Sequence, residues 1–185
     1  MYKDYIYKDC VTEESARRQR QLEQCLLELM LTGDYSQITI SDISSRAGIS
    51  RKSFYRYFNS KEGCLYALVD HAVFDGAALY LPNGVDPHSL QSTHERFFRY
   101  WKEQHRLLDA LTRNNLFLVL AERMLYYTVQ EEQEFHQLQP FATADQHERN
   151  LFYLGGVMSL MLEWHKSGFQ KSVHQMSKIL TEITT

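Results

Sequence analysis

The chain has 185 residues, 44% of them hydrophobic and 23% charged, which excludes collagen-like, disulfide-stapled miniature and disordered classes. Eight glycines and three prolines are few for this length, so elements run long, and that favours helices. The formal net charge of −3 is uneven: residues 1–14 carry −2, residues 15–61 carry +4 and residues 62–185 carry −5. A basic module joined to an acidic one suits a protein that meets phosphate with one part only. No run of about 18 apolar residues occurs and the opening MYKDYIYKDCVTEES is too charged for a signal-peptide core, so a cytoplasmic protein with no membrane partner is expected. The three cysteines, Cys10, Cys25 and Cys64, form no C-x-x-C pair and are expected as reduced thiols.

After a flexible tail over 1–14, apolar Leu22, Cys25, Leu26, Leu29 and Met30 recur at helical spacing, predicting an amphipathic helix from about Ser15 to Thr32 that stops at Gly33. Thr39 with Asp42 three residues on is a capping-box start for a short second helix that ends at Ala47-Gly48. Ser50 caps a third helix, Arg51 to about Phe58, and Ser60 a fourth, from Lys61 towards Leu79. Two short helices joined by Ala47-Gly48-Ile49-Ser50 make a helix-turn-helix, with Ile40, Ile43, Ala47, Ile49, Phe54 and Phe58 as its core.

With those residues inward, Arg51, Lys52, Ser53, Tyr55 and Arg56 are left on outer faces, and Tyr57 lies near the helix end. That is the chemistry for bonding phosphates and base edges in a major groove. Lys61 stands in the first turn of a helix, against the positive end of the macrodipole, so something must compensate it. A DNA phosphate would do so, and a nearby carboxylate such as Glu62 is the plainer alternative.

These residues resemble the TetR/AcrR family of bacterial transcription regulators over about Leu22 to Val69. The match runs through Ile38-Thr39-Ile40-Ser41-Asp42-Ile43, Ala47-Gly48-Ile49-Ser50, Ser53-Phe54-Tyr55-Arg56-Tyr57-Phe58 and Ser60-Lys61-Glu62. Ser44 replaces a usual alanine, and Arg51-Lys52 replace common small residues. The resemblance implies an all-α, nine-helix fold with a homeodomain-like three-helix DNA-binding domain over 15–61. A helical effector-binding and dimerisation domain over 62–185 is implied to follow. It further implies that Thr39, Ser41, Tyr55, Tyr57 and Lys61 approach phosphates while Arg51, Lys52 and Ser53 face base edges or backbone.

Beyond Pro82-Asn83-Gly84 the pattern gives helices at about Ser89–Glu103, Arg106–Thr112 and Leu116–Gln137, a loop over Gln139–Gln146, and a helix over His147–Lys166 closed by Gly168. Ser172 with Gln175 caps a last helix reaching Ile183. The His147–Lys166 helix is apolar on more than one face, and Gly155, Gly156 and Ser159 would permit a close crossing, so a second surface needs a partner. In similar proteins the last two helices pair across a two-fold axis. That implies a homodimer through Leu151, Leu154, Gly155, Met158, Leu162, Met176, Ile179 and Leu180, reading a pseudo-palindromic double-stranded site. The ending from Gly155-Gly156 through Glu163-Trp164 and Ser167-Gly168-Phe169 to Met176 and Ile179-Leu180 also resembles a subset of the family that includes activators of dihydroxyacetone kinase genes.

Phe97, Tyr100, Trp101, Phe117, Tyr126 and Tyr127 read first as core and second as the lining of an apolar pocket for an unidentified small effector. Eight histidines form no i, i+3 or i, i+4 pair, so no metal or other cofactor is expected. Nucleophile-elbow, phosphate-loop, dinucleotide and zincin motifs are absent, which argues against an enzyme. The expectation is a repressor released from a palindromic operator by a small molecule. The alternatives are an activator controlled by a protein partner on the same scaffold, and a helical dimer without DNA binding.

Overall fold

The computed structural model describes residues 7, 8, 10, 12–80, 90–130 and 145–184. The expected turn at Pro82-Asn83-Gly84, the loop before Asp145 and the end of the helix expected to reach Gln137 lie outside them. Among the described residues there are nine α-helices and no strand: α1 Glu13–Thr32, α2 Ile40–Arg46, α3 Arg51–Phe54, α4 Lys61–Tyr80, α5 Leu90–Glu103, α6 His105–Arg113, α7 Phe117–Gln130, α8 Gln146–Lys166 and α9 Val173–Thr184. None of these helices is long and apolar enough to cross a membrane. The chain forms two compact units, Met1–Ala72 with Asp109–Val119, and Val73–Leu108 with Leu120–Thr185.

The first unit is built from local rules that the sequence states openly. Thr12 opens α1 and Thr39 opens α2, each through reciprocal capping bonds with the residue three positions on. Gly33 ends α1 in extended rather than left-handed backbone, its amide donating to the Leu29 carbonyl at 2.8 Å. Gly48 turns the chain between α2 and α3 at φ 67°, where a side chain would be strained although the space around it is open. Leu22, Leu26, Met30, Ile43, Phe54 and Phe58 are wholly buried together with Cys64, and burial pushes the Cys64 thiol well up. Ser44 is buried too, and its hydroxyl has no hydrogen-bond partner.

Two features of this unit depart from expectation. The helix expected over Arg51 to Phe58 is regular only to Phe54, beyond which Arg56 and Tyr57 donate three residues back, to Ser53 and Phe54. The residues expected in a flexible tail include Tyr7, which is 3% exposed and pairs as an isolated antiparallel bridge with Phe58. Lys8 then donates its amide to the Tyr57 carbonyl at 3.1 Å, so an extended backbone partner takes over where the helix would have continued.

In the second unit, α5 packs chiefly on α9. Phe98 and Trp164 meet edge to face at 5.3 Å, and Trp164 meets Phe169 the same way at 4.8 Å. Gly168 and Phe169 both take positive φ, closing α8 as expected at Gly168. The Trp164 indole N–H donates to the Lys171 carbonyl at 2.8 Å, and Ser172 and Gln175 cap α9 reciprocally as expected.

Candidate nucleic-acid interface

The helix-turn-helix holds its outer surface by burying the opposite one. Phe54 and Phe58 stack 5.3 Å apart inside the unit, which leaves Arg51, Lys52, Tyr55 and Arg56 exposed and Ser53 and Tyr57 half-buried. Ser50 caps α3 by accepting from the Ser53 amide at 3.1 Å, and the two serine hydroxyls lie 2.9 Å apart. Arg51 reaches the Tyr55 hydroxyl at 3.3 Å with its guanidinium 5.9 Å from that ring's centre, so one turn of helix presents a cation and a phenol together. Gln21 on α1 donates to the Ala47 carbonyl at 3.4 Å and props the turn.

Thr39 and Ser41 are exposed at the start of α2, but the Thr39 hydroxyl is engaged: it donates to Asp42 Oδ2 at 2.6 Å and accepts from the Asp42 amide at 3.2 Å. The hydroxyl bond, together with the Thr39 amide donating to the same Asp42 oxygen at 2.8 Å, holds the Asp42 carboxyl below its ordinary range, so a negative charge stands beside the Thr39 hydroxyl. Arg46 is spent on structure, its Nε and Nη2 donating to Glu28 Oε2 at 2.9 and 2.7 Å.

Lys61 finds compensation within the chain at the head of α4, and it comes from backbone carbonyls rather than from Glu62. The ammonium donates to the Tyr35 carbonyl at 2.7 Å and the Ile38 carbonyl at 2.9 Å, and lies 4.2 Å from the centre of the Tyr35 ring. The short turn between α1 and α2 therefore supplies the negative partner. That turn is clamped again by Asn114, which accepts from the Tyr35 amide at 2.6 Å and donates to the Met30 carbonyl at 3.0 Å.

Residues 26–68, which contain α2, α3 and Lys61, match the family model described as bacterial regulatory proteins, tetR family. The similarity to that family is confined to this stretch, and the chain spans less than a third of the length of the curated relatives it matches. It is 38% identical over 60 residues to the HTH-type transcriptional regulator EthR of Mycolicibacterium smegmatis, a match covering 29% of this chain and 28% of that protein. In fold it is similar to the fatty acid degradation regulator FadR from Bacillus halodurans, at 16% identity and a TM-score of 0.67 over 90% of this chain and 94% of that one. It is also similar to the dihydroxyacetone kinase operon activator DhaS, at 20% identity and a TM-score of 0.55 over 90% of this chain and 93% of that one. At such identities these two likenesses are likenesses of fold.

The tetR-type fold places the other expected site residues less simply. Of the residues assigned to a dimer surface, Leu154, Met158, Met176 and Leu180 are buried within the single chain and form its core. Along its middle α8 exposes Leu151, Phe152, Gly155, Gly156 and Ser159, with Phe152 84% exposed and Leu162 half-buried; α9 exposes Ile183, with Ile179 half-buried. Of the residues assigned to an effector pocket, Phe97, Tyr100 and Trp101 are buried and stack on one another, with Tyr100 and Trp101 edge to face at 5.3 Å. They are core because positions 97, 100 and 101 fall three and four residues apart on one buried face of α5. Phe117 falls in the first unit, whereas Tyr126 and Tyr127 flank the buried Arg123, whose guanidinium lies 4.8 and 5.2 Å from their ring centres.

Two contributors carried no sequence signal. Lys8, from the expected tail, donates its ammonium to the carbonyl of Tyr55, the residue that caps the end of α3, at 2.8 Å. His94 is buried between Tyr153 and Thr181, each 2.8 Å from one ring nitrogen. Thr181 donates its own hydroxyl hydrogen to the Ser177 carbonyl, so His94 Nδ1–H donates to Thr181 while Nε2 accepts from Tyr153. Burial, opposed by the backbone of Ser177, brings the His94 pKa down to about 4.

Proposed function

We propose that this protein is a homodimeric DNA-binding transcriptional regulator that represses from a pseudo-palindromic operator and is released by a small molecule taken up in its second unit. The observation that carries this reading is the outward face of α3 and of the turn that follows it, where Arg51, Lys52, Tyr55 and Arg56 stand exposed above a closed apolar core. Arg51, Lys52 and Ser53 address base edges, and Tyr55, Tyr57, Thr39 and Ser41 address phosphates. Lys61 acts one step back, fixing the turn before α2 rather than touching DNA. Dimerisation is supported by the exposed apolar surface of α8, since two copies joined there display two reading helices for two half-sites. Relatives named as transcriptional regulators support a cytoplasmic, non-enzymatic role at the chromosome. Release follows from linkage: the effector lowers operator affinity only by binding better to a dimer whose reading helices are wrongly spaced.

Selection of bound fragments from random duplexes, followed by salt titration, tests the reading. A palindromic winner with a steep slope is expected, and Arg51→Ala or Lys52→Ala should change the preferred bases at a cost of about 1–3 kcal/mol for a good contact. An unchanged preference in both variants sinks the assignment of α3 as the reader.

A further inference from the structure

We propose that Tyr7 and Lys8 are positioning residues for α3, strapping its carboxyl-terminal end so that its side chains meet DNA at one fixed angle. The inference rests on the DNA-binding reading above. A four-residue helix cannot hold its own direction, and the last residues of this one run on as loose turns. Three separate elements close on that end through the strap. The Tyr7 hydroxyl donates to Asp70 Oδ2 of α4 at 2.8 Å, with both residues buried. The Lys8 amide and ammonium donate to the carbonyls of Tyr57 and Tyr55, at 3.1 and 2.8 Å. The buried Gln19 of α1 donates to the Lys8 carbonyl at 3.2 Å, fixing the strap from behind.

Both Lys8 donors grip backbone, and Tyr7 anchors in α4, so neither reads a base. Their effect passes through the direction in which Arg51, Lys52 and Tyr55 project. Specific contacts depend steeply on that direction, whereas sequence-independent attraction to phosphate does not.

The test uses the full chain with Lys8→Gln and Tyr7→Phe, a duplex recovered by selection with the unaltered protein, and a scrambled duplex of equal length. Each variant should lose roughly three- to tenfold in affinity for the selected duplex and less than twofold for the scrambled one, with the salt slope unchanged. Equal losses on both duplexes with a slope lower by about one would make Lys8 an ordinary phosphate contact and overturn the proposal. No loss on either duplex would overturn it as well. Amide exchange over residues 55–58 needs no DNA and should accelerate in Lys8→Gln; unaltered exchange removes the strap. An unaltered protein that selects no duplex removes the DNA-binding reading instead.

Discussion

Lys61 shows what one residue's position does and does not say. Its place in the first turn of α4 demands a negative partner, and that much is legible from sequence. Which partner it finds is not, because the Tyr35 and Ile38 carbonyls are backbone atoms with no residue-type signature. Lys61→Met should therefore destabilise the fold by about 1–3 kcal/mol in chemical denaturation, the range for charge-assisted hydrogen bonds, and leave the salt slope of DNA binding unaltered. A slope lower by about one with full stability would return Lys61 to the phosphates. Ser44 is the opposite case, since its departure from the family's small apolar residue is visible in sequence. The structure adds that its hydroxyl is buried without a partner. Ser44→Ala should raise stability by about 1 kcal/mol, and a loss on denaturation would mean that the hydroxyl has a partner after all.

Among elements, those governed by contacts three or four residues apart were legible: the Thr39–Asp42 box, the left-handed Gly48 and the Ser172–Gln175 cap stand where sequence places them. The end of α3 was not, because it is decided by Tyr7 and Lys8, some fifty residues earlier in the chain. Nor was the junction of α5, α8 and α9 at His94, whose partners are 59 and 87 residues away. The unfolded chain protonates His94 near the ordinary value of 6.5, whereas the folded chain does so only at about 4. Between those values the unfolded state binds more protons, so stability falls as the pH drops from about 6.5 to about 4 and this contribution levels off below. Denaturation midpoints across that window should show the loss, and His94→Gln should flatten it. A pH dependence identical in both proteins would discharge His94 from that role.

For the whole molecule, composition pointed to helices and the charge split to a basic part joined to an acidic one, and hydrophobic periodicity gave the order of the helices. Periodicity showed that α8 is apolar on two faces but could not say which face the chain keeps for itself. The core took Leu154 and Met158 and left Leu151 and Phe152 outside. Phe152→Glu should accordingly leave the fold intact and yield monomers in sedimentation velocity. It should also cut the salt slope for the selected duplex by about half, as one half-site is lost. A persistent dimer would place the interface elsewhere. The cysteines carry one more consequence. Cys25 and Cys64 are buried with raised thiol pKa values, whereas Cys10 is only partly covered and rests on Gln19. Thiol-directed alkylating reagents thus meet the molecule at a single cysteine, and a fluorophore attached there would report on the docked amino-terminal segment with no engineered cysteine.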